Sequence, residues 1–349
     1  MSDPEIIEQI KSLVPIAFKY ELDGEVCKKL NFASDDYLYF NVLRHLPDKT
    51  KQDVLQLVSQ LEQLEFLQLR RAQLYKTPKS LSKLTKLKYL NLGSNYLGEV
   101  PRWIEGIEDL KYLHVGVNSL KEMPEFLSKF KNLRNLLMHK NQIRHVPESY
   151  AGFSKLEEYN VYMNTMSEIP DFVYDYSQLK TLTCGVSGLK ELSSRLGNLK
   201  NLEYFTCGAT KLKGLPDSFC ELESLIATRL HKNRIEKLPE NIGNLADNLE
   251  QISLYKNQLT ELPESFSKLH KLEQLNLSLN NFESFPQQVA RLKSLDWLGY
   301  YYNSECEKPP LDNVKYVLLK RPFTRTSYSS EKKQPSIWSE KLQMAQISK

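Results

Sequence analysis

Apolar and polar positions repeat in one frame along most of this 349-residue chain. In residues 272–282, LEQLNLSLNNF, the leucines Leu272, Leu275 and Leu277 alternate with polar residues, and Asn280 and Phe282 follow. The frame recurs at Leu87-Leu90-Leu92-Asn95-Leu97, at Leu110-Leu113-Val115-Asn118-Leu120 and at Leu133-Leu136-Met138-Asn141-Ile143. Its leading leucines run from Leu64 to Leu295 at intervals of 23 residues, with one interval of 24 between Leu225 and Leu249. Alternation over Leu275-Asn276-Leu277 predicts a short strand, leucines inward and polar residues outward. The second half of each repeat carries Pro and then apolar residues at spacings of three, as in Pro263, Phe266 and Leu269, which predicts a helical or 3₁₀ turn. One such unit cannot bury its own leucines, whereas a stack of units buries them as a continuous core. The expected fold is an α/β solenoid, with a parallel sheet on the concave side and the turns on the convex side.

The motif LxxLxLxxNxL followed by LP-x-x-Φ-x-x-L resembles the leucine-rich repeat family. Its 23-residue form is similar to the intracellular Ras-group type and to bacterial proteins of the same kind. The resemblance covers residues 64–303, about eleven repeats, and implies a leucine-rich repeat horseshoe. The family is mainly a recognition scaffold, so the resemblance implies binding without naming what is bound.

Flanking segments complete the domain plan. Residues 1–63 read as an N-terminal cap. A helix over residues 3–14 has Asp3 as N-cap and Ile6, Ile7 and Ile10 on one face. A hairpin turns at Asp23-Gly24 in type I′ geometry. A second helix spans residues 50–63, with Thr50 and Asp53 as a capping pair. Residues 304–322 read as a C-terminal cap, with 311–320 as either a helix or a strand, and 323–349 as a flexible basic tail.

Charge and cysteine content narrow the function. Residues 305–349 hold nine basic and five acidic side chains, the whole of the formal +4, so the repeat body is neutral. That argues against a body built for phosphate backbones. No basic start followed by an apolar run, and no stretch of about 20 apolar residues, is visible in the sequence. The five cysteines are an odd, scattered set without a disulfide framework. A cytoplasmic protein with no membrane association is expected.

The turn position carries Asn95, Asn118, Asn141, Asn164, Asn233, Asn257, Asn280 and Asn303, and Ala72, Ser187 and Thr210 interrupt it. Leu192-Ser193 also lacks the usual Pro, so the sixth and seventh repeats are the irregular part of the body. No phosphate loop, metal-ligand spacing or nucleophile–base motif is present, so no enzyme, cofactor or metal is expected. Cys184 and Cys207 are expected as small core fillers.

Chemistry is concentrated instead on the outward strand positions. The candidate partner-binding residues are Tyr89, Tyr112, His114, His139, Tyr162, Met163, Tyr204, Arg229, His231, Tyr255, Lys256 and Trp297. Such a face is rich in the side chains that dominate protein interfaces and poor in acids. Thr181, Thr183, Gly185, Thr206, Gly208 and Ala209 are expected to floor a hollow between Tyr162-Met163 and Arg229-His231, open to an acidic protruding element of a partner. The favoured function is a non-enzymatic protein–protein interaction scaffold. One alternative is the substrate-recognition module of an effector or ligase-like system, although 46 residues after Asn303 are too few for a catalytic domain. Another is nucleic-acid binding through the rings and cations, against which the neutral body counts.

Overall fold

A computed structural model describes residues 1–14, 16–33, 41–303, 314 and 316–318. Residues 1–319 form one compact unit. Its sheet holds fourteen strands in sequence order, counted among the described residues. The first two, β1 (Lys19–Asp23) and β2 (Val26–Asn31), are an antiparallel hairpin. Then come β3 (Phe66–Gln68), β4 (Tyr89–Asn91), β5 (Tyr112–His114), β6 (Asn135–Leu137) and β7 (Glu158–Asn160). After these lie β8 (Thr181–Thr183), β9 (Tyr204–Thr206), β10 (Ala227–Arg229), β11 (Gln251–Ser253), β12 (Gln274–Asn276), β13 (Trp297–Gly299) and β14 (Tyr316–Leu318). From β2 onward all neighbours pair in parallel, Leu67 opposite Leu90 and Leu90 opposite Leu113. Within the stretch read as helix or strand, residues 316–318 are a strand.

The return half of each repeat is a 3₁₀ turn of four or five residues in nine repeats, and a short α-helix, Gln287–Ala290, in the last. Proline caps most of these turns, for example Pro101, Pro124 and Pro263; its fixed φ suits the entry and the missing N–H has no partner to lose there. Where proline is replaced, Ser193 caps instead, its Oγ accepting from Arg195 N at 3.2 Å. The 24-residue interval is absorbed on this side. Leu249 N bonds Leu245 O, four residues back, where Leu272 N bonds Leu269 O, three back.

Leu, Ile and Val fill a continuous core from Ile6 to Leu298. Large rings enter it in the middle, with Tyr150, Tyr159, Tyr174 and Tyr176 buried. Tyr150 Oη donates to Pro124 O at 3.0 Å, and Tyr176 Oη donates to Tyr150 O at 2.9 Å. Cys184 and Cys207 lie buried on neighbouring repeats as free thiols.

The asparagines tie each turn to the one before. Asn95 Nδ2 donates to Leu69 O and Leu92 O at 3.0 and 2.9 Å, and its Oδ1 accepts from Leu74 N. Asn118, Asn141, Asn164, Asn233, Asn257 and Asn280 repeat the pattern of two carbonyl acceptors. Just before each asparagine the backbone passes through the left-handed region, at Ser94, Val117, Lys140, Met163, Lys232, Lys256 and Leu279. The N–H of that residue bonds the next strand, as in Lys140 N to Tyr162 O at 2.7 Å. Both ladders fail together in the sixth repeat. Ser187 supplies no amide, and Val186 neither takes the positive φ nor makes the N–H bond. In the seventh repeat Ala209 regains both, and Thr210 is joined through its N and Oγ1 to Asn233 Oδ1.

The N-terminal cap differs from the sequence reading in detail. The first helix, α1, is Asp3–Leu13, with Ser2 rather than Asp3 at the N-cap, and Ser2 N donates to Glu5 Oε2. Asp3 instead accepts from Cys27 N at 2.7 Å, fixing the helix to β2. In the hairpin the two-residue turn is Gly24-Glu25, with Gly24 at φ +62°, which is the type II′ arrangement rather than type I′. The second helix, α2, is Asp48–Val58. It starts directly after Pro47, which presets the entry, so Thr50 and Asp53 lie inside it. It stops before residue 63 because Gln60 N and Leu61 N bond three residues back and tighten the chain into a turn.

Candidate functional site

Strands of three residues place three side-chain columns on the concave face, two from each strand and one from the second residue beyond it. In the first column the rings of Phe66, Tyr89 and Tyr112 stack in a row, with centroids 4.1 and 4.2 Å apart and planes within 13°. Parallel register puts equivalent positions one strand spacing apart, close to ring-stacking distance. The row continues as a hydrogen bond, Asn135 Nδ2 to Glu158 Oε2 at 2.8 Å. Glu158 is the one acid among the three columns. Burial pushes its carboxyl above the usual range, opposed by the Asn135 bond.

Tyr112 and His114 are more enclosed than outward positions imply, at 8 % and 5 % exposure. Tyr112 is covered by the stacked Tyr89 ring; for His114 the cause is the glycines of the third column. Gly93 and Gly116 leave room for imidazoles to lie on the backbone. A Cβ at Gly93 would stand 2.7 Å from the His114 ring, and one at Gly116 would stand 2.8 Å from His139 and 3.0 Å from His114 Nε2. The two imidazole centroids are 5.2 Å apart. Desolvation and the neighbouring cations hold both rings neutral. Burial, Lys140 and Arg70 push His139 down to about 4, and burial, His139 and Arg70 push His114 well below the usual range.

The same device fills the expected hollow. Tyr162 lies on Gly185, its ring carbons 2.7 Å from where a Cβ would be, and His231 lies on Gly208 at 2.5 Å. The small residues therefore seat a shelf of rings instead of flooring an open slot. Beyond the shelf, Arg229, His231 and Tyr255 are half-buried, Lys256 is exposed, and Tyr255 meets Tyr301 at 6.2 Å. Met163 stands out at 52 % exposure. Tyr204 and Trp297 are half-buried on the first column. The nominated residues thus share one face, running from Tyr89 on β4 to Trp297 on β13.

Arg70 was missed as a site residue. It lies two residues past the end of β3, in the column of Gly93, and influences Tyr89, Tyr112, His114 and His139 through its charge. The signal was legible: an arginine followed in its column by two glycines has space to lie across neighbouring repeats. Among the described residues no group of three or more His, Cys, Asp or Glu is placed to hold a metal ion. No helix there is long and apolar enough to cross a membrane.

Family models described as leucine rich repeat match residues 228–282 and 86–107. Together with the unbroken register of β3 to β13, they decide the family. The chain is a leucine-rich repeat protein. No curated protein matches it. Solved structures of this family share its fold. An internalin from Listeria monocytogenes has a TM-score of 0.70 at 18 % identity, over 91 % of this chain and 89 % of that one. A leucine-rich repeat protein from Leptospira interrogans has 0.53 at 23 %, over 76 % and 80 %. The ectodomain of a membrane receptor kinase from Arabidopsis thaliana, in complex with Casparian strip integrity factor 2, has 0.62 at 25 %. That match covers 76 % of this leucine-rich repeat protein and 36 % of the receptor chain. Leucine-rich repeat proteins serve in general as binding scaffolds.

Proposed function

We propose that this protein binds a partner protein on its concave face and is not itself an enzyme. The observation that carries the reading is the density of rings and cations on one face of a rigid sheet: Tyr89, His139, Tyr162, Met163, Tyr204, Arg229, His231, Tyr255, Lys256 and Trp297, with Tyr112 and His114 packed beneath their neighbours. Tyr, Trp and Arg supply most interface energy, and strands already held in place lose little freedom on binding. The Arabidopsis receptor with its bound factor is a relative in fold that is seen with a partner. A cytoplasmic setting belongs to the same proposal, on the strength of the scattered, unpaired cysteines.

The test is affinity capture with the whole chain, followed by direct titration of the captured protein. Tyr162→Ala with Arg229→Ala is expected to weaken binding at least tenfold, whereas Lys190→Ala on the return side leaves it unchanged. Equal binding by the concave-face variant overturns the reading.

A further inference from the structure

Half of the buried side-chain polar atoms without a hydrogen-bond partner lie in one patch. Of eight such atoms among the described residues, four are Gln68 Oε1, Arg70 Nε, His114 Nε2 and His139 Nδ1. They sit on the first, third and fourth repeats, with Gly93 of the second between them. Arg70 and His139 bracket the two glycines of their column, Gly93 and Gly116, across three strand spacings, roughly 14 Å. The His114 ring lies between them, nine-tenths buried. Its Nε2 and the His139 Nδ1 both fall within 3.0 Å of the point where a side chain at Gly116 would begin. Buried polar groups are ordinarily paired, and a cluster that is not calls for an explanation.

We propose that Arg70, His114 and His139 form an anchor that receives a carboxylate side chain, Asp or Glu, from the partner protein. The inference rests on the concave-face reading and deepens it. Charge decides the occupant. Arg70 forms no ion pair with a described residue, and the only acid of the face, Glu158, is hydrogen-bonded to Asn135. With both imidazoles neutral, the full positive charges at the patch are Arg70 and, beside His139, Lys140, so an anion is the occupant that fits. The guanidinium fork pairs well with a carboxylate, and His139 adds an N–H.

Proton linkage follows from the same geometry. The charged groups acting on His139 are Lys140 and Arg70, with the His114 ring 5.2 Å away; those acting on His114 are His139 and Arg70, and Glu158 lies two repeats beyond His114. Burial is the larger cause of the low His139 value and cation repulsion the smaller; a carboxylate against Arg70 offsets the repulsion, so docking favours protonation of His139 and tightens as pH falls from about 5 towards 4.

The experiment follows imidazole nitrogen resonances of the ¹⁵N-labelled whole chain during titration with N-acetyl-glutamate amide at constant ionic strength. N-acetyl-glutamine amide serves as the neutral control and inorganic phosphate as the second anion. A saturable change at His139 with the carboxylate alone, and a rise of its apparent pKa by about one unit or more, are expected. Both vanish in Arg70→Gln and persist in Arg229→Gln. No saturable change, an equal response to phosphate, or an unchanged response in Arg70→Gln overturns the proposal. Should Arg70→Gln not fold, Arg70→Lys replaces it, with affinity expected to drop about tenfold as the fork is lost; undiminished affinity overturns it. Because no partner is present, the result separates from the broader reading. Normal partner capture by a chain whose anchor does not respond leaves concave-face binding standing and removes the carboxylate anchor.

Discussion

His231 lies flat on Gly208, with Cε1 2.5 Å from the place a Cβ would occupy at that glycine. The glycine is therefore a seat for the ring. Gly208→Ala is expected to lift the imidazole off the sheet and destabilise the protein by about 1–3 kcal/mol, the usual range for overpacking. Gly185→Ala is the harsher change, because its methyl would meet the carbonyl of Gly208 at 2.2 Å as well as the Tyr162 ring. Urea midpoints of both variants check the order.

The asparagine ladder gives a pair of opposite predictions. Asn233 donates to Cys207 O and Leu230 O and accepts from Thr210 N. Asn233→Ala strands those groups and is expected to cost about 2–4 kcal/mol. Ser187→Asn restores the missing rung, where the carbonyls of Val161 and Cys184 stand in line for its amide, and is expected to stabilise by about 1 kcal/mol. Thermal or chemical unfolding of the two variants decides. A destabilised Ser187→Asn would mean that the backbone at Val186 cannot return to the regular path.

Stability is expected to fall with acidification through the histidines. His139 is held at about 4 in the folded chain, below its unfolded value near 6.5, and His114 and His231 are shifted the same way. A base whose pKa is depressed by folding opposes proton uptake. Its share of stability is complete above about pH 6.5 and is lost as pH falls towards 4. Glu158, shifted upward, acts in the opposite direction, stabilising acid conditions relative to neutral ones. Melting temperatures of the wild type and His139→Gln between pH 7.5 and 4 test this; the variant is expected to show the flatter profile.

Tyr159 carries a buried hydroxyl with no hydrogen-bond partner, at the strand position that Leu or Phe fills in neighbouring repeats. Tyr159→Phe removes an unsatisfied group and keeps the ring. It is expected to be neutral or to stabilise by about 1 kcal/mol, and a calorimetric scan resolves the difference. A loss of more than that would show that the hydroxyl is held by something other than the described side chains.

The 23-residue frame made the strands, their parallel order and the core legible, because each inward position is leucine or a close equivalent. The asparagine rungs and their three gaps, at Ala72, Ser187 and Thr210, were legible for the same reason. What the frame could not supply was the lie of the outward side chains. Columns read from sequence treat His114, Tyr162 and His231 as standing away from the sheet. Glycine in the third column lets each fall onto the backbone beside it, so the burial of His114 depends on Gly93 and Gly116 and not on His114 itself. The caps were read less well. They lack the period, and local signals such as Asp3 or Thr50 compete with equally good ones at Ser2 and Pro47.

Contacts in such a chain run between adjacent repeats, so its interfaces behave as links in series. Between Asn164 and Asn233 the body loses the amides of two successive rungs, along with one backbone bond. Under tension applied to its ends, this seam is where the protein should part first. A partner gripping both flanks would splint that weak link, and one gripping a single flank would leave the other free to peel away.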